Sequence, residues 1–238
     1  MTKPRNVAAL LVGHVARPRN LRHPGDGLRT RCHSTNPLKH YGRNLRAPEI
    51  QMPEPKIRKL LISGRELFVL DNVIDEMMVD QVAALVRTLH YLRKEKSRPG
   101  VPGLAPVADI PQERIAIDPF LCSLRQAVER LFPNERFEDQ RAYVNCSVYG
   151  DSYYLHRDCH PHEQHVTALY YANPEWKPDW GGETIYYTDE EDAELAISPR
   201  RGRLVVSRGA ILHRGNVPAR NCYEERYTLA YKLNSLGA

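Results

Sequence analysis

From Tyr143 to Leu233 the sequence divides into short strand-like segments separated by turn residues, and this rhythm constrains the fold more than any other feature. Residues 143–149, 166–171, 184–187, 194–197, 203–207 and 227–233 read as short strands, and the first alternates, with Tyr143, Asn145, Ser147 and Tyr149 on one face. Gly150-Asp151, Asn173-Pro174, Gly181-Gly182 and the run from Pro199 to Gly202 punctuate them. A series of short antiparallel strands is best satisfied by two sheets folded face to face as a jelly-roll barrel.

The upstream half supplies helices. Residues 66–70 read as a first strand. Ile74, Met78, Val82, Leu85 and Leu89 then recur at helical spacing from about Asp75. Asp118-Pro119 is an N-cap followed by proline at the first helical position, and Leu121, Leu124, Val128 and Leu131 form the apolar stripe of a second helix. Between the helices, Lys94 to Pro106 reads as a loop, either a flap over a pocket or an ordinary connection. The expected architecture is mostly β with supporting helices backing a double-stranded β-helix (jelly-roll, cupin-like) core.

A chain of 238 residues, 42% hydrophobic, is long enough for one well-buried domain. Mean hydropathy is −0.55 and no apolar run reaches membrane-spanning length, so no membrane partner is expected. The net charge of +5 is unevenly placed. Residues 1–50 hold ten Lys/Arg against Asp26 and Glu49, which leaves the remainder mildly acidic at −3. The expected division is therefore a basic, Pro/Arg-rich extension over 1–60 and a main folded domain over 61–238. Three roles compete for the arm: contact with an acidic partner, organellar targeting, or a solvated extension. It lacks the interleaved aromatics of a nucleic-acid surface, and the acidic core also disfavours nucleic acid. Five cysteines without C-x-x-C spacing fit free thiols in a reducing, cytoplasmic compartment.

His156 and Asp158 are two residues apart, so on extended backbone both project to one face. A distant His213 can join them. Two imidazoles and a carboxylate on one face of an ion leave positions open, which is the ligand set of non-haem Fe(II) oxygenases. A structural zinc site would more often be closed by four protein ligands.

Several further motifs keep the same order. Tyr149-Gly150-Asp151 leads into His156-Arg157-Asp158; Leu169 to Asn173 and Trp180-Gly181-Gly182-Glu183-Thr184 follow; Pro199, Gly202, Arg203 and Leu204 to Val206 precede His213; Arg226-Tyr227-Thr228-Leu229 closes the set. In this the chain resembles the 2-oxoglutarate/Fe(II)-dependent dioxygenases, specifically the prolyl-4-hydroxylase-like branch, from about Arg141 to Leu233. The resemblance implies Fe(II) held by His156, Asp158 and His213. It implies 2-oxoglutarate as cosubstrate, its distal carboxylate gripped by Arg226 with Thr228 and Tyr149 assisting, and O2, with ascorbate as an optional reductant. Because the stretch from Tyr149 to His156 is short for this family, Tyr143 or Tyr154 is an alternative to Tyr149. The carboxylate at Asp158, where related halogenases have a small residue, implies hydroxylation with release of succinate and CO2.

Cys159 reads as a pocket-wall thiol, and His160, His162 and His165 either form a second metal site or face the pocket and solvent. Asn145, Ser147 and Arg157 suggest a polar substrate, and the expectation leans toward an amino-acid-like or natural-product small molecule. A protein side chain, with proline first among candidates, is the alternative; a non-catalytic jelly-roll metal-binding protein is a third reading.

Overall fold

The computed structural model describes residues 54–102 and 105–237; the basic arm before them lies outside the described residues. Two antiparallel sheets make up the frame. The larger is built from β1 (Lys56–Ile62), β2 (Arg65–Asp71), β3 (Leu92–Glu95), β4 (Ala105–Ile110), β5 (Phe137–Ser147), β6 (Val166–Tyr171), β9 (Leu204–Arg208) and β11 (Arg226–Ser235), in the order β1-β2-β9-β6-β11-β5-β4-β3. The smaller contains β7 (Thr184–Tyr187), β8 (Ala193–Ile197) and β10 (Leu212–Gly215), in the order β10-β7-β8. The mostly β, double-stranded β-helix expectation stands.

Among the described residues three α-helices accompany the sheets: α1 (Glu76–Val86), the single turn α2 (Gln112–Ile115) and α3 (Pro119–Leu131). Each longer helix starts where the sequence supplies a side-chain acceptor. Asp75 Oδ1 accepts from Met78 N at 3.1 Å, and Asp118 Oδ1 accepts from Phe120 N and Leu121 N at 3.0 and 3.2 Å. Pro119, lacking an N–H, loses nothing at the first helical position.

Strand alternation divides the large sheet into two chemically different faces. On β11, Tyr227, Leu229, Tyr231 and Leu233 pack into the core shared with α1 and α3. Their neighbours Arg226, Thr228, Ala230 and Lys232 line a cavity on the other face. The same division runs through β5, where Ala142, Val144 and Cys146 join the helical core while Tyr143 and Asn145 line the cavity. A second core closes the space between the sheets: Leu67, Val69, Tyr171 and Val205 of the large sheet meet Tyr186 and Ile197 of the small one.

Some elements differ from the sequence reading. The stretch 94–106 is not one loop between helices: it holds the end of β3 and the start of β4, and these pair with each other and extend the large sheet beyond β5. Alternation is poor in both, since β3 is all charge after Leu92 and β4 is nearly continuous apolar sequence. Strand β1 crosses the 60/61 boundary; its exposed pattern hides it from a search for half-buried strands. Leu89 falls beyond the end of α1.

Candidate metal centre

His156 and His213 are held together by backbone before any metal is considered. The two residues form an antiparallel bridge, with N···O distances of 3.0 and 2.9 Å in the two directions, and their ring centroids lie 4.5 Å apart. Asp158 N donates to Gly209 O at 2.8 Å, fixing the third side chain beside them. The Nε2 atoms of His156 and His213 lie 3.5 and 3.8 Å from the two Asp158 carboxylate oxygens. One ligand atom from each of the three residues falls within 4.8 Å of the others, the only such group of three among the described residues.

The donor chemistry fits a divalent cation. Each imidazole has its Nδ1 beside a backbone carbonyl at 2.9 Å, Tyr154 O for His156 and Ile211 O for His213. A carbonyl can only accept, so Nδ1 carries the proton and Nε2 presents its lone pair toward Asp158 and the ion position. Burial and the neighbouring His156 hold the His213 imidazole down to about 4, which keeps it neutral and able to ligate. Burial alone would raise the Asp158 carboxyl, but the Lys232 ammonium and the two imidazoles hold it well below the usual carboxylate range. Thr167 Oγ1 donates to Asp158 Oδ2 at 2.6 Å and Lys232 Nζ to Oδ1 at 2.8 Å, so the carboxylate is oriented from both sides.

The triad opens into a cavity of about 440 Å³ between the sheets. Arg226 lies in its wall and is buried, with 3% of its surface exposed. Its Nε donates to Gly182 O at 2.6 Å, and its two terminal nitrogens face Thr184 Oγ1 at 3.2 Å and Thr228 Oγ1 at 3.5 Å. No carboxylate pairs with it among the described residues. A buried guanidinium without a counter-charge is costly, and a ligand carboxylate would supply one. Two buried hydroxyls, Ser147 Oγ and Tyr153 Oη, make no well-formed hydrogen bond and lie near enough to interact with each other. Ser147 is the β5 partner of Arg226. Burial pushes Tyr153 up to about 12, and the Arg226 charge counteracts part of that rise. Gly182 makes this arrangement possible: a Cβ there would stand 2.9 Å from Arg226 Cδ.

The predicted residues do not all converge. Thr228 lines the cavity beside Arg226. Tyr143 lines it too, but on the carboxylate side of the triad, where Lys232 Nζ stands 5.8 Å from its ring centroid. Tyr149 is 59% exposed and outside the cavity, while Tyr154 stacks under Arg98. Two other tyrosines stand near Arg226: Tyr171, whose ring centroid lies 5.4 Å from the guanidinium and whose hydroxyl is already bonded to Thr184, and Tyr153, which lines the cavity with it. Nothing in the irregular run Gly150 to Leu155 has a period that would reveal which aromatic turns inward. Lys232 was equally overlooked, although its register on the strand after Arg226, Thr228 and Ala230 was a legible signal.

Cys159 is not in the cavity wall: its Sγ lies where a Cβ on Gly209 would approach to 3.0 Å, and burial pushes the thiol up to about 11. His160 and His162 stack in parallel at 5.7 Å in an exposed turn, whereas His165 Nδ1 accepts from Ser235 N. The three do not form a second metal cluster among the described residues.

Comparison with known proteins agrees with this geometry. Residues 144–232 match the model of the 2OG-Fe(II) oxygenase superfamily. Among solved structures, a Trichoplax adhaerens prolyl hydroxylase in complex with a hypoxia inducible factor oxygen degradation domain peptide is 20% identical, with a TM-score of 0.53 over 71% of this chain and 83% of that one. A 2OG-Fe(II) oxygenase family oxidoreductase from Burkholderia pseudomallei is 16% identical, with a TM-score of 0.55 over 71% and 84%. The viral collagen prolyl hydroxylase of Paramecium Bursaria Chlorella virus-1 is 15% identical, with a TM-score of 0.51 over 78% and 97%. No curated protein sequence matches the chain.

Proposed function

We propose, for a chain whose residues 144–232 belong to the 2OG-Fe(II) oxygenase superfamily, that the domain uses Fe(II), O2 and 2-oxoglutarate to hydroxylate a side chain of a polypeptide, with proline the first candidate. The general oxygenase chemistry follows from the family match and the His156–Asp158–His213 triad. The observation that carries the cosubstrate reading is the buried Arg226 without a carboxylate partner, facing the same cavity as the triad. The substrate reading is supported by fold neighbours named as prolyl hydroxylases, one of them in complex with a peptide.

When bound, iron and 2-oxoglutarate supply the oxidising chemistry: O2 is consumed, the 2-oxo acid loses CO2 to give succinate, and one oxygen atom enters a substrate C–H bond. The chain binds, orients and excludes water. His156 and His213 present fixed Nε2 lone pairs, and Asp158 is held by Thr167 and Lys232. Arg226 would receive the distal carboxylate, with Thr228 and the hydroxyl of Tyr153 as further donors, in place of Tyr149. Ascorbate would serve as an optional reductant in the assay.

A second reading, a polar small molecule, is favoured by one feature: residues 95–99 line the cavity together with the triad, giving it a wall on the β3 side. Substrate-triggered succinate release decides between them. Proline-containing peptides that stimulate release while free amino acids do not support the polypeptide reading; the reverse pattern refutes it.

A further inference from the structure

The cavity holds more positive charge than its iron chemistry uses. In the iron- and 2-oxoglutarate-dependent reading above, on which the following rests, the charges of a divalent cation, the Asp158 carboxylate, a dicarboxylate cosubstrate and the Arg226 guanidinium cancel. Lys232 is left over. Its side chain is 19% exposed, lines the cavity, and has Asp158 as its only carboxylate neighbour within salt-bridge distance among the described residues. Once Asp158 gives its charge to a metal, a largely buried ammonium remains without a full counter-charge, an arrangement that is costly unless another anion arrives.

The rest of the wall points the same way. Glu95 is engaged by Arg141, at 3.0 and 2.9 Å, and Arg157 shares Asp189, at 3.0 Å, with Arg65, which bonds the same carboxylate at 2.9 and 2.8 Å. Lys96 and Arg98, exposed at the rim, have no acidic partner among the described residues; Arg98 instead lies 6.0 Å from the Tyr154 ring centroid. Three cations thus line the route from rim to metal with no acid of the protein reserved for them once the metal is bound.

We propose that the substrate carries a carboxylate close to the carbon that is oxidised, that Lys232 pairs with this carboxylate, and that Lys96 and Arg98 draw it in. An acidic residue flanking the target in a peptide and the free carboxylate of an amino-acid derivative present the same group. Lys232 then determines specificity.

The test uses the full chain with Fe(II) and 2-oxoglutarate, without oxygen, and reads binding as a perturbation of the iron-to-cosubstrate charge-transfer band. The probes are matched pairs: N-acetylated, C-terminally amidated tripeptides with a central proline and Asp or Asn on one side, and N-acetylproline against its amide. Each is measured on the parent chain, Lys232→Met, Lys232→Arg and the surface variant Lys96→Ser/Arg98→Ser.

The expected result is that the carboxylate member of at least one pair binds about tenfold more tightly than its amide. That preference shrinks to about twofold or less in Lys232→Met, persists in Lys232→Arg and weakens in the surface variant. Which pair responds separates peptide from amino-acid derivative. Equal binding of acid and amide, an undiminished preference in Lys232→Met, or no binding by any carboxylate probe overturns the inference. An absent charge-transfer band in the parent chain is a different failure, that of the oxygenase reading itself. If Lys232→Met does not fold or gives no charge-transfer band, Lys232→Gln takes its place under the same criteria, an undiminished acid preference in it overturning the inference; an unchanged acid preference in the surface variant overturns the rim's role.

Discussion

At residue scale the candidate site depends on an atom that is missing. Gly182 adopts φ +76 and leaves the space that the Arg226 side chain fills. Gly182→Ala would place a methyl 2.9 Å from Arg226 Cδ and displace the guanidinium. Affinity for 2-oxoglutarate should fall by about 10- to 100-fold while Fe(II) binding is retained; separate titrations of metal and cosubstrate check this, and unchanged cosubstrate affinity would remove Arg226 from its proposed role. Arg226→Ala should raise the 2-oxoglutarate requirement by at least as much, read as apparent KM for succinate formation. His213→Ala removes an Nε2 donor that the Ile211 carbonyl orients, and should abolish iron-dependent turnover. Full activity in that variant would refute the triad.

At the scale of elements, stability rests on strands tied by buried arginines. Arg208, on β9, bonds Glu135 at 2.6 and 2.9 Å and Glu66 at 2.9 Å, with its guanidinium 4.2 Å from the Phe132 ring centroid. Arg203 grips Asp71 of β2 through two bonds of 2.8 and 2.9 Å. The hydrogen bonds from Arg208 and Arg203 hold Glu135 and Asp71 below their ordinary values of 4.5 and 3.8. Carboxyls lowered on folding contribute stability that is full above those ordinary values and is lost as pH falls through the lowered ones. Urea stability should therefore decline below about pH 4.5, more steeply for the parent chain than for Arg208→Met, which itself should lose about 3–5 kcal/mol by breaking a buried ion-pair network. Equal slopes for the two chains would show the network to be electrostatically idle. Asp118→Ala, removing the N-cap of α3, should cost about 1 kcal/mol, measurable as a lower Tm. These elements also show where sequence is readable. The Asp118-Pro119 start and the β6 and β7 strands carry local signals strong enough to fix their limits. Strands β1, β3, β4 and β10 do not: their pairing is decided by partners distant in sequence, as in the β4–β5 register of Val107 with Asn145.

For the whole molecule, two sheets with helices on one side place the polar faces of β5, β6, β9 and β11 opposite β7 and β10, and the metal ligands at the end of that space. The triad and Arg226 were legible through the ordered set of motifs and the family resemblance it carries; H-x-D on extended backbone adds that two ligands share a face, and Arg226 stands out as a charge in an otherwise apolar strand. Tyr153 is hidden in aperiodic backbone, whereas Lys232 continues the register of Arg226, Thr228 and Ala230 and is readable from that alternation. The most direct measurement is anaerobic addition of Fe(II) and 2-oxoglutarate to the full chain, followed by exposure to oxygen with proline peptides and amino-acid derivatives. A charge-transfer band that requires His156, Asp158 and His213, then substrate-stimulated succinate release, is the expected result. Correctly loaded iron with no such band, and no succinate above the substrate-free rate, would contradict the oxygenase assignment.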